Sequence, residues 1–394
     1  MKSKEAALLA AIMRNDIKET ADLASDAPRP VDWGTIERLI AYHDIAPLVH
    51  LRIKDTGIRL PSGLRDRLEK SYYLAIAKGQ SLWAEFLRIS KAFRDRNAAM
   101  VPIKGTSFLA DIYASNPCRP MADIDILVEE RSLDMARALL TEAGYREESF
   151  GLDEAYWRLN QCHITFVKER IYVEVHFGLD FKRGNRNILP RLWERVRERS
   201  VDGHGVSFLS YEDALFSLAL HERRFGRTLG LKNILDVSLI LKNKGDALDW
   251  DYIVDEARAG KMSSAVFFIL SAAKIFFKSD IPQGVPAGLG VPYYKRKAIE
   301  NMIRRNALSA RIAARNKSLY TMKHFLLFDS LWEPASYIYH IPEEQFAKFY
   351  GLEPYDAKTR LLYRLRGLSM PYLWARERLS RGAKRRRAAP GKDA

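Results

Sequence analysis

The stretch MADIDILVEE, residues 121–130, decides how this chain is interpreted. Polar and apolar residues alternate along it, which is typical of a β-strand. A strand places Asp123 and Asp125 on one face and turns Ile124 and Ile126 toward the core. Neighbouring carboxylates repel each other, and a divalent cation removes that cost, since Mg²⁺ binds one or two carboxylates together with phosphate oxygens and water. The alternative is a solvated strand end whose acidic residues happen to alternate.

A strand followed by a helix is predicted just before this stretch. AMVPIKG, residues 99–105, is a short apolar run that ends in glycine, and TSFLADIYA, residues 106–114, resumes helical spacing. A helix start presents free N–H groups and the positive end of the helix dipole, which favours a phosphate. The candidate phosphate-binding residues at this turn are Lys104, Gly105, Thr106 and Ser107. The alternative is a plain strand–helix turn with a surface lysine.

A third acidic residue follows on a later strand. HITFVKER, residues 163–170, and IYVEVHF, residues 171–177, are predicted to form a hairpin or an adjacent strand pair. In the second strand, Glu174 and His176 face one side and the valines between them face the other. A carboxylate from a neighbouring strand would complete a site for two metal ions. For His176, a structural polar contact is the alternative.

The order of these three motifs resembles the DNA polymerase β-type nucleotidyltransferase superfamily. It resembles more closely a group of bacterial uncharacterised nucleotidyltransferases that carry a Lys-Gly turn. The resemblance spans about residues 30–280. The matching residues are Lys104-Gly105, Leu109, Tyr113, Arg119, Asp123 to Val128, Gly144-Tyr145, Glu174-Val-His176, Glu212-Asp213, His221 and Asp236.

The resemblance implies an α+β fold, with a polymerase β-like core and a small mixed sheet between helical regions. It implies that Asp123, Asp125 and Glu174 are catalytic and bind Mg²⁺ or Mn²⁺. Residues 104–107 would hold the phosphates of a nucleoside triphosphate such as ATP. Arg119 would either contact phosphate or form a structural salt bridge. The implied activity is transfer of a nucleoside monophosphate to an acceptor that the resemblance does not identify. Because the sequence shows no RNA-binding module outside the basic tail, a small-molecule or protein hydroxyl is favoured.

Changes in hydrophobic periodicity and composition along the chain predict four regions. Residues 1–97 show helical periodicity, residues 98–182 form the α+β unit, and residues 183–375 return to helical periodicity. Residues 376–394 are basic and low in apolar content, which predicts disorder. The apolar run at 265–277 is too short for a membrane span, so we expect a buried helix there.

Charge and cysteine content limit the partners and the compartment. The 394 residues carry a net charge of +15 and a pI near 9.6, which favours polyanionic partners. From Arg376 onward, eight Lys/Arg face two Asp/Glu, so the tail holds +6 of that charge. A non-catalytic nucleotide- or membrane-binding scaffold and an RNA-binding protein therefore remain alternatives. Two cysteines, Cys118 and Cys162, do not make a disulfide framework, and we expect a cytoplasmic protein. Cys162-His163 lacks metal-ligand spacing and is assigned no chemistry.

Overall fold

A computed structural model describes residues 4–25, 29–114, 116–148, 161–180, 189–224, 229–306, 322–323, 325–334 and 342–367. The basic tail predicted at 376–394 lies outside these residues. The first described helices are α1 (Lys4–Arg14), α2 (Ile17–Ala24), α3 (Trp33–His43), α4 (Ala46–Ile53) and α5 (Ser62–Asp95). Side-chain caps start two of them, because Asp16 accepts a hydrogen bond from the Glu19 amide and Asp32 from the Thr35 amide.

Five strands form one mixed sheet in the order β1-β2-β5-β4-β3. They are β1 (Met100–Pro102), β2 (Ile124–Val128), β3 (Arg146–Glu147), β4 (His163–Lys168) and β5 (Ile171–His176). β2 runs antiparallel to β1 and parallel to β5, and β4 runs antiparallel to both of its neighbours. Helix α6 (Lys104–Leu109) follows β1, and α7 (Leu133–Glu142) follows β2. The α+β fold class with a small mixed sheet is confirmed.

The register between β2 and β5 brings the acidic residues together. Asp125 lies directly opposite Glu174, while the flanking isoleucines of β2 pair with the flanking valines of β5. Those four apolar side chains are fully buried. Because side chains alternate across a strand, Asp125 and Glu174 share the other face of the sheet. Helix α6 packs against β2, so Asp125 is also buried, at 6% exposure.

The apolar face of the sheet packs on α5 and α7. The long helix α5 contributes Phe86 and Phe93, α7 contributes Leu139 and Leu140, and the sheet contributes Phe166 among others. A second, larger apolar core joins the N-terminal helices to the helices that follow the sheet. The sheet therefore packs its apolar face on α5 and α7, whereas its other face carries Asp125 and Glu174.

The later helices are α8 (Tyr211–Arg224), α9 (Leu231–Lys244), α10 (Trp250–Ala259), α11 (Ser263–Phe277), α12 (Val285–Gly288), α13 (Tyr293–Asn306), α14 (Glu343–Tyr350) and α15 (Ala357–Arg364). Helix α11 contains the apolar run expected to be a buried helix, and most of its side chains are buried. Within the residues that the structure describes, no helix combines the length and the apolar character that crossing a membrane requires.

A two-stranded hairpin interrupts the region interpreted as helical from residue 183. It comprises β6 (Arg197–Val201) and β7 (His204–Phe208), and β7 packs against β1. The helical interpretation was wrong here, because β6 reads RERSV and gives no apolar alternation. Only Val206 and Phe208 of β7 enter the core. The hairpin thus extends the sheet unit beyond residue 182.

Candidate active site

Two cations neutralise the acidic pair on the polar face of the sheet. The Lys104 ammonium lies 2.5 Å from Asp125 Oδ1 and 3.8 Å from Glu174 Oε2. His176 Nε2 lies 2.9 Å from Asp125 Oδ1 and 3.3 Å from Glu174 Oε2. Lys104 comes from the start of α6, whereas His176 is the last residue of β5. The site therefore depends on the turn after β1 being held over the centre of the sheet.

These contacts change the protonation of the acids and the imidazole. Burial alone would raise the pKa of Asp125, but Lys104 and His176 hold it well below its ordinary value. Burial opposes ionisation of Glu174, but the hydrogen bond from His176 together with the positive charges of His163 and Lys104 lowers its pKa. Burial and Lys104 oppose a charge on His176, yet hydrogen bonds to its acidic neighbours and to Cys162 raise its pKa to about 9. Both carboxylates are therefore ionised near neutral pH.

Asp123 sits at the edge of this cluster, immediately before β2 begins at Ile124. Burial raises its pKa to about 6, and the negative charges of Asp125 and Glu174 add to that rise. The two cations of the cluster are engaged with the other acids. Asp123 is thus the acid whose ionisation an added cation would favour most.

The turn between β1 and α6 is built around two unusual positions. Lys104 adopts a left-handed backbone conformation, φ 50°, which is uncommon for a residue with a side chain. A Cβ on Gly105 would lie 2.5 Å from Arg119 Nη1, so this position requires glycine for close packing. The buried Thr106 hydroxyl accepts a hydrogen bond from the Asp125 amide at 3.2 Å, and Ser107 is also buried. This turn therefore ties α6 to β2.

Arg119 makes a buried ion pair with Asp236 of α9. Its Nε lies 3.0 Å from both carboxylate oxygens, and its Nη2 lies 2.6 Å from Oδ2. The Tyr113 hydroxyl donates to Asp236 Oδ1 at 2.8 Å. Arg119 is 4% exposed and Asp236 is fully buried. Of the two roles expected for Arg119, this geometry is that of the structural salt bridge, while a phosphate contact stays a prediction.

Lys232, one helical turn before Asp236, and the other residues of the resemblance lie in helices around the cluster. Lys232 is held by Asp44, at 2.7 Å, and by the Pro120 carbonyl, at 3.2 Å. Asp213 accepts hydrogen bonds from Ser210 and Tyr252 near the start of α8. Burial holds the pKa of His221 well below its ordinary value, and the charge of Lys104 adds to that effect. These contacts are structural, and they join the helical region to the sheet unit.

Sequence reasoning missed Cys162 and His163. His163 pairs with His176 across β4 and β5, and Cys162 Sγ lies 3.9 Å from His176 Nδ1. The signal was available, because a two-residue turn at Glu169–Arg170 fixes the register. Counting outward from that turn places His163 opposite His176. Spacing along the sequence did not indicate this cluster, because the pairing of β4 with β5 brings Cys162 and His163 next to His176.

The donor set fits a divalent cation that prefers oxygen. Asp125, Glu174 and His176 each offer a ligand atom within 4.8 Å of the others, and Asp123 adjoins them. Carboxylate oxygens suit Mg²⁺ and Mn²⁺, whereas the imidazole nitrogen is a softer donor. Burial, and then repulsion from Asp125 and Glu174, raises the pKa of Asp123, and a bound cation would offset both effects. A cation that binds Asp125 must compete with the Lys104 ammonium.

Comparison with known families assigns the chain. A family described as uncharacterised nucleotidyltransferase matches residues 29–278, which covers the α+β unit and the helices on both sides of it. A search of curated proteins found no match. The matched region contains every residue of the acidic cluster and the Arg119–Asp236 pair. The chain belongs to this uncharacterised nucleotidyltransferase family.

Proposed function

We propose that the protein transfers a nucleoside monophosphate from a nucleoside triphosphate to a hydroxyl group and releases pyrophosphate. The observation that carries the proposal is the parallel pairing of β2 and β5, which sets Asp125 opposite Glu174 in a chain of this family. Fold membership alone gives a weak argument for chemistry. The paired acids supply the argument from the site.

Asp123, Asp125 and Glu174 would hold the divalent cation, Mg²⁺ or Mn²⁺. A bound ion supplies Lewis-acid polarisation of the phosphate and a lower pKa for an attacking hydroxyl. The chain's own part is to hold three carboxylates in one place. Lys104 and His176 keep Asp125 and Glu174 ionised despite burial. Burial, and then the charges of these two acids, raises the pKa of Asp123, so a bound cation would favour ionisation of this third acid.

Lys104 would leave Asp125 and contact the triphosphate when substrate binds. Its side chain is 11% exposed, and the movement would be a rotation of that side chain. The left-handed backbone at Lys104 turns this side chain over the sheet. An ammonium placed on the phosphates stabilises the charge that develops as pyrophosphate leaves.

Glu174 would accept the proton of the attacking hydroxyl. Its side chain is 24% exposed, more than that of Asp125, so an acceptor can reach it. Its lowered pKa keeps it ionised, and the neighbouring His176 keeps it oriented. Most of the acceleration would then come from positioning and electrostatics, as in phosphoryl transfer generally. The acceptor we favour is a small molecule or a protein side chain.

A second candidate is a non-catalytic nucleotide-binding scaffold on the same fold. The observation that favours it is the Lys104–Asp125 contact, because an internal ammonium already neutralises an acid of the cluster. In a scaffold, Lys104 would stay on Asp125 with nucleotide bound. Membrane or RNA contact through the basic tail stays a prediction, since those residues lie outside the described part of the chain.

Transfer of label separates the two candidates. The four nucleoside triphosphates, radiolabelled at the α-phosphate, are incubated with the protein, Mg²⁺ or Mn²⁺, and a desalted bacterial lysate with its small-molecule fraction. An Asp123→Asn/Asp125→Asn double variant tests the cluster. The matched control is Asp134→Asn, an exposed acid on α7 of the same unit.

We expect label on an acceptor with the wild type and with Asp134→Asn, and none with the double variant. Metal-dependent nucleotide binding without transfer, under all conditions, would favour the scaffold. Transfer that survives in the double variant would overturn the assignment of the acids.

A further inference from the structure

A second group of donors adjoins the acidic cluster. It comprises Cys162, His163 and His176, and their ligand atoms all lie within 4.8 Å of one another. Cys162 Sγ is 4.0 Å from His163 Nδ1 and 3.9 Å from His176 Nδ1. The two imidazole rings are 5.0 Å apart between centroids. Three soft or borderline donors therefore surround one point.

The spacing is close to that of a tetrahedral zinc site. With Zn–S near 2.3 Å and Zn–N near 2.0–2.1 Å, tetrahedral geometry gives sulfur–nitrogen edges of roughly 3.6 Å. The observed separations exceed that value by less than half an ångström. A small contraction of the side chains would bring all three onto one ion. Three protein donors leave one exchangeable position, as in zinc sites that are not purely structural.

We propose that Cys162, His163 and His176 form a binding site for a thiophilic divalent cation of the Zn²⁺ class, which adjoins the acidic cluster and shares His176 with it. Thiolate and imidazole select Zn²⁺, whereas the carboxylates favour Mg²⁺ and Mn²⁺. The proposal requires neither nucleotide nor transfer, so it stands or falls separately from the proposed function.

His176 links the two sites through its two ring nitrogens. Its Nδ1 faces Cys162, while its Nε2 lies 2.9 Å from Asp125 Oδ1. Histidines that ligate a metal nearly always donate their other N–H to a carboxylate or carbonyl, which fixes the tautomer and the ring orientation. Asp125 is in place for that contact. A cation on Nδ1 would therefore set His176 as a fixed hydrogen-bond donor to the acid proposed to hold Mg²⁺.

The surroundings of Cys162 suit a metal-bound thiolate. The Arg224 guanidinium of α8 donates a hydrogen bond to the sulfur, which stabilises a negative charge there. Cys162 and His176 are each 1% exposed, and the 27%-exposed side chain of His163 is on the solvent side. Among the described residues of this site, His163 is the donor through which an ion can enter from solvent.

Cobalt substitution tests the site directly. The full chain, kept reduced with a non-thiol reductant, is titrated with Co²⁺ and then with competing Zn²⁺. We expect one Co²⁺ per chain to give a thiolate-to-cobalt charge-transfer band and the intense visible bands of tetrahedral cobalt, and Zn²⁺ to displace this ion. Cys162→Ala should abolish the charge-transfer band and weaken Zn²⁺ binding by about 100-fold or more.

Two further variants keep the test decisive. Cys118→Ala is the matched control, because Cys118 is the other cysteine and packs in the apolar core, and it should leave the band unchanged. His163→Gln covers the case in which Cys162→Ala does not fold. It changes a partly exposed side chain and keeps the thiol, so it should weaken Zn²⁺ binding and retain a charge-transfer band at saturation.

Glu174→Gln separates the two sites, since Glu174 belongs only to the acidic set. It should weaken Zn²⁺ binding far less than Cys162→Ala does. The absence of a charge-transfer band in the wild type would overturn the proposal. So would Zn²⁺ binding that is lost in Glu174→Gln and retained in Cys162→Ala, because the ion would then lie among the carboxylates.

Discussion

Two buried clusters of charge lie on either side of the turn between β1 and α6, and they differ in how completely their charges are paired. Arg119 meets Asp236 through three contacts of 3.0 Å or less, and both side chains are closed to solvent. In the acidic cluster, Lys104 and His176 form ion pairs with Asp125 and Glu174, and Asp123 adds a third carboxyl group.

The difference shows which cluster holds the fold and which is open to a ligand. A saturated, fully buried pair gains nothing from a further charge, and it costs heavily to break. A cluster with an excess of acid and partial exposure has perturbed protonation and accepts a cation, which is the pattern of functional sites. We therefore interpret the Arg119–Asp236 pair as structural and propose the acidic cluster as the site of chemistry.

Asp125→Asn should have the largest effect on activity. It removes the acid at the centre of the cluster, which is proposed to bind the metal, so we expect nucleotidyl transfer to fall by about 1000-fold or more. The secondary structure should remain. Transfer of the α-phosphate label and circular dichroism measure the two effects. Wild-type transfer in this variant would show that the cluster takes no part in the reaction.

Arg119→Met should have the largest effect on stability. It leaves Asp236 buried with only the Tyr113 hydroxyl, and breaking a buried pair on one side costs about 3–5 kcal/mol. Urea unfolding of the metal-free protein measures this loss. The double variant Arg119→Met/Asp236→Leu should recover much of it, because neither charge is then left alone. Additive losses would show that the two residues do not act as a pair.

The sequence predicted what depends on local patterns and missed what depends on contacts between distant elements. Alternation in MADIDILVEE and IYVEVHF was enough to predict β2, β5 and the shared face of their acids. The partner of Arg119 comes from α9, more than a hundred residues away, so local pattern left its role open. The reason for Gly105 is likewise a tertiary one, the close approach of Arg119. The β6–β7 hairpin was not predicted, because the charged strand β6 shows no alternation of polar and apolar residues.

Lys104→Met tests whether the Lys104 ammonium competes with a bound metal ion for Asp125. In the metal-free protein the ammonium holds Asp125, so its removal should strengthen Mn²⁺ binding in the absence of nucleotide. If Lys104 turns to the phosphates on substrate binding, the same variant should weaken binding of the triphosphate by about tenfold. Mn²⁺ titration by electron paramagnetic resonance and fluorescent nucleotide binding measure the two. Unchanged Mn²⁺ affinity would show that the ammonium does not compete with a metal.

Asp123→Asn should have the smallest effect on stability, and the size of that effect should depend on pH. The pKa of Asp123 is raised from 3.8 to about 6, so ionising it costs stability in the folded protein. That cost is absent below pH 3.8, where the carboxyl is protonated in both states, grows as the pH rises toward 6, and is complete above 6. The variant should therefore match the wild type at the acid end and exceed it at pH 8, by on the order of 1 kcal/mol once partial exposure is allowed for.

Urea unfolding of the metal-free protein across this range checks the sign, and saturating Mn²⁺ should reverse it. A bound cation favours the ionised carboxylate, so metal should stabilise the wild type more than the variant at pH 8. The Arg119–Asp236 pair supplies the internal comparison, since Mn²⁺ should not change the stability lost in Arg119→Met. If Mn²⁺ stabilises Asp123→Asn as much as the wild type, then Asp123 is not a ligand and its raised pKa reflects burial beside two acids alone.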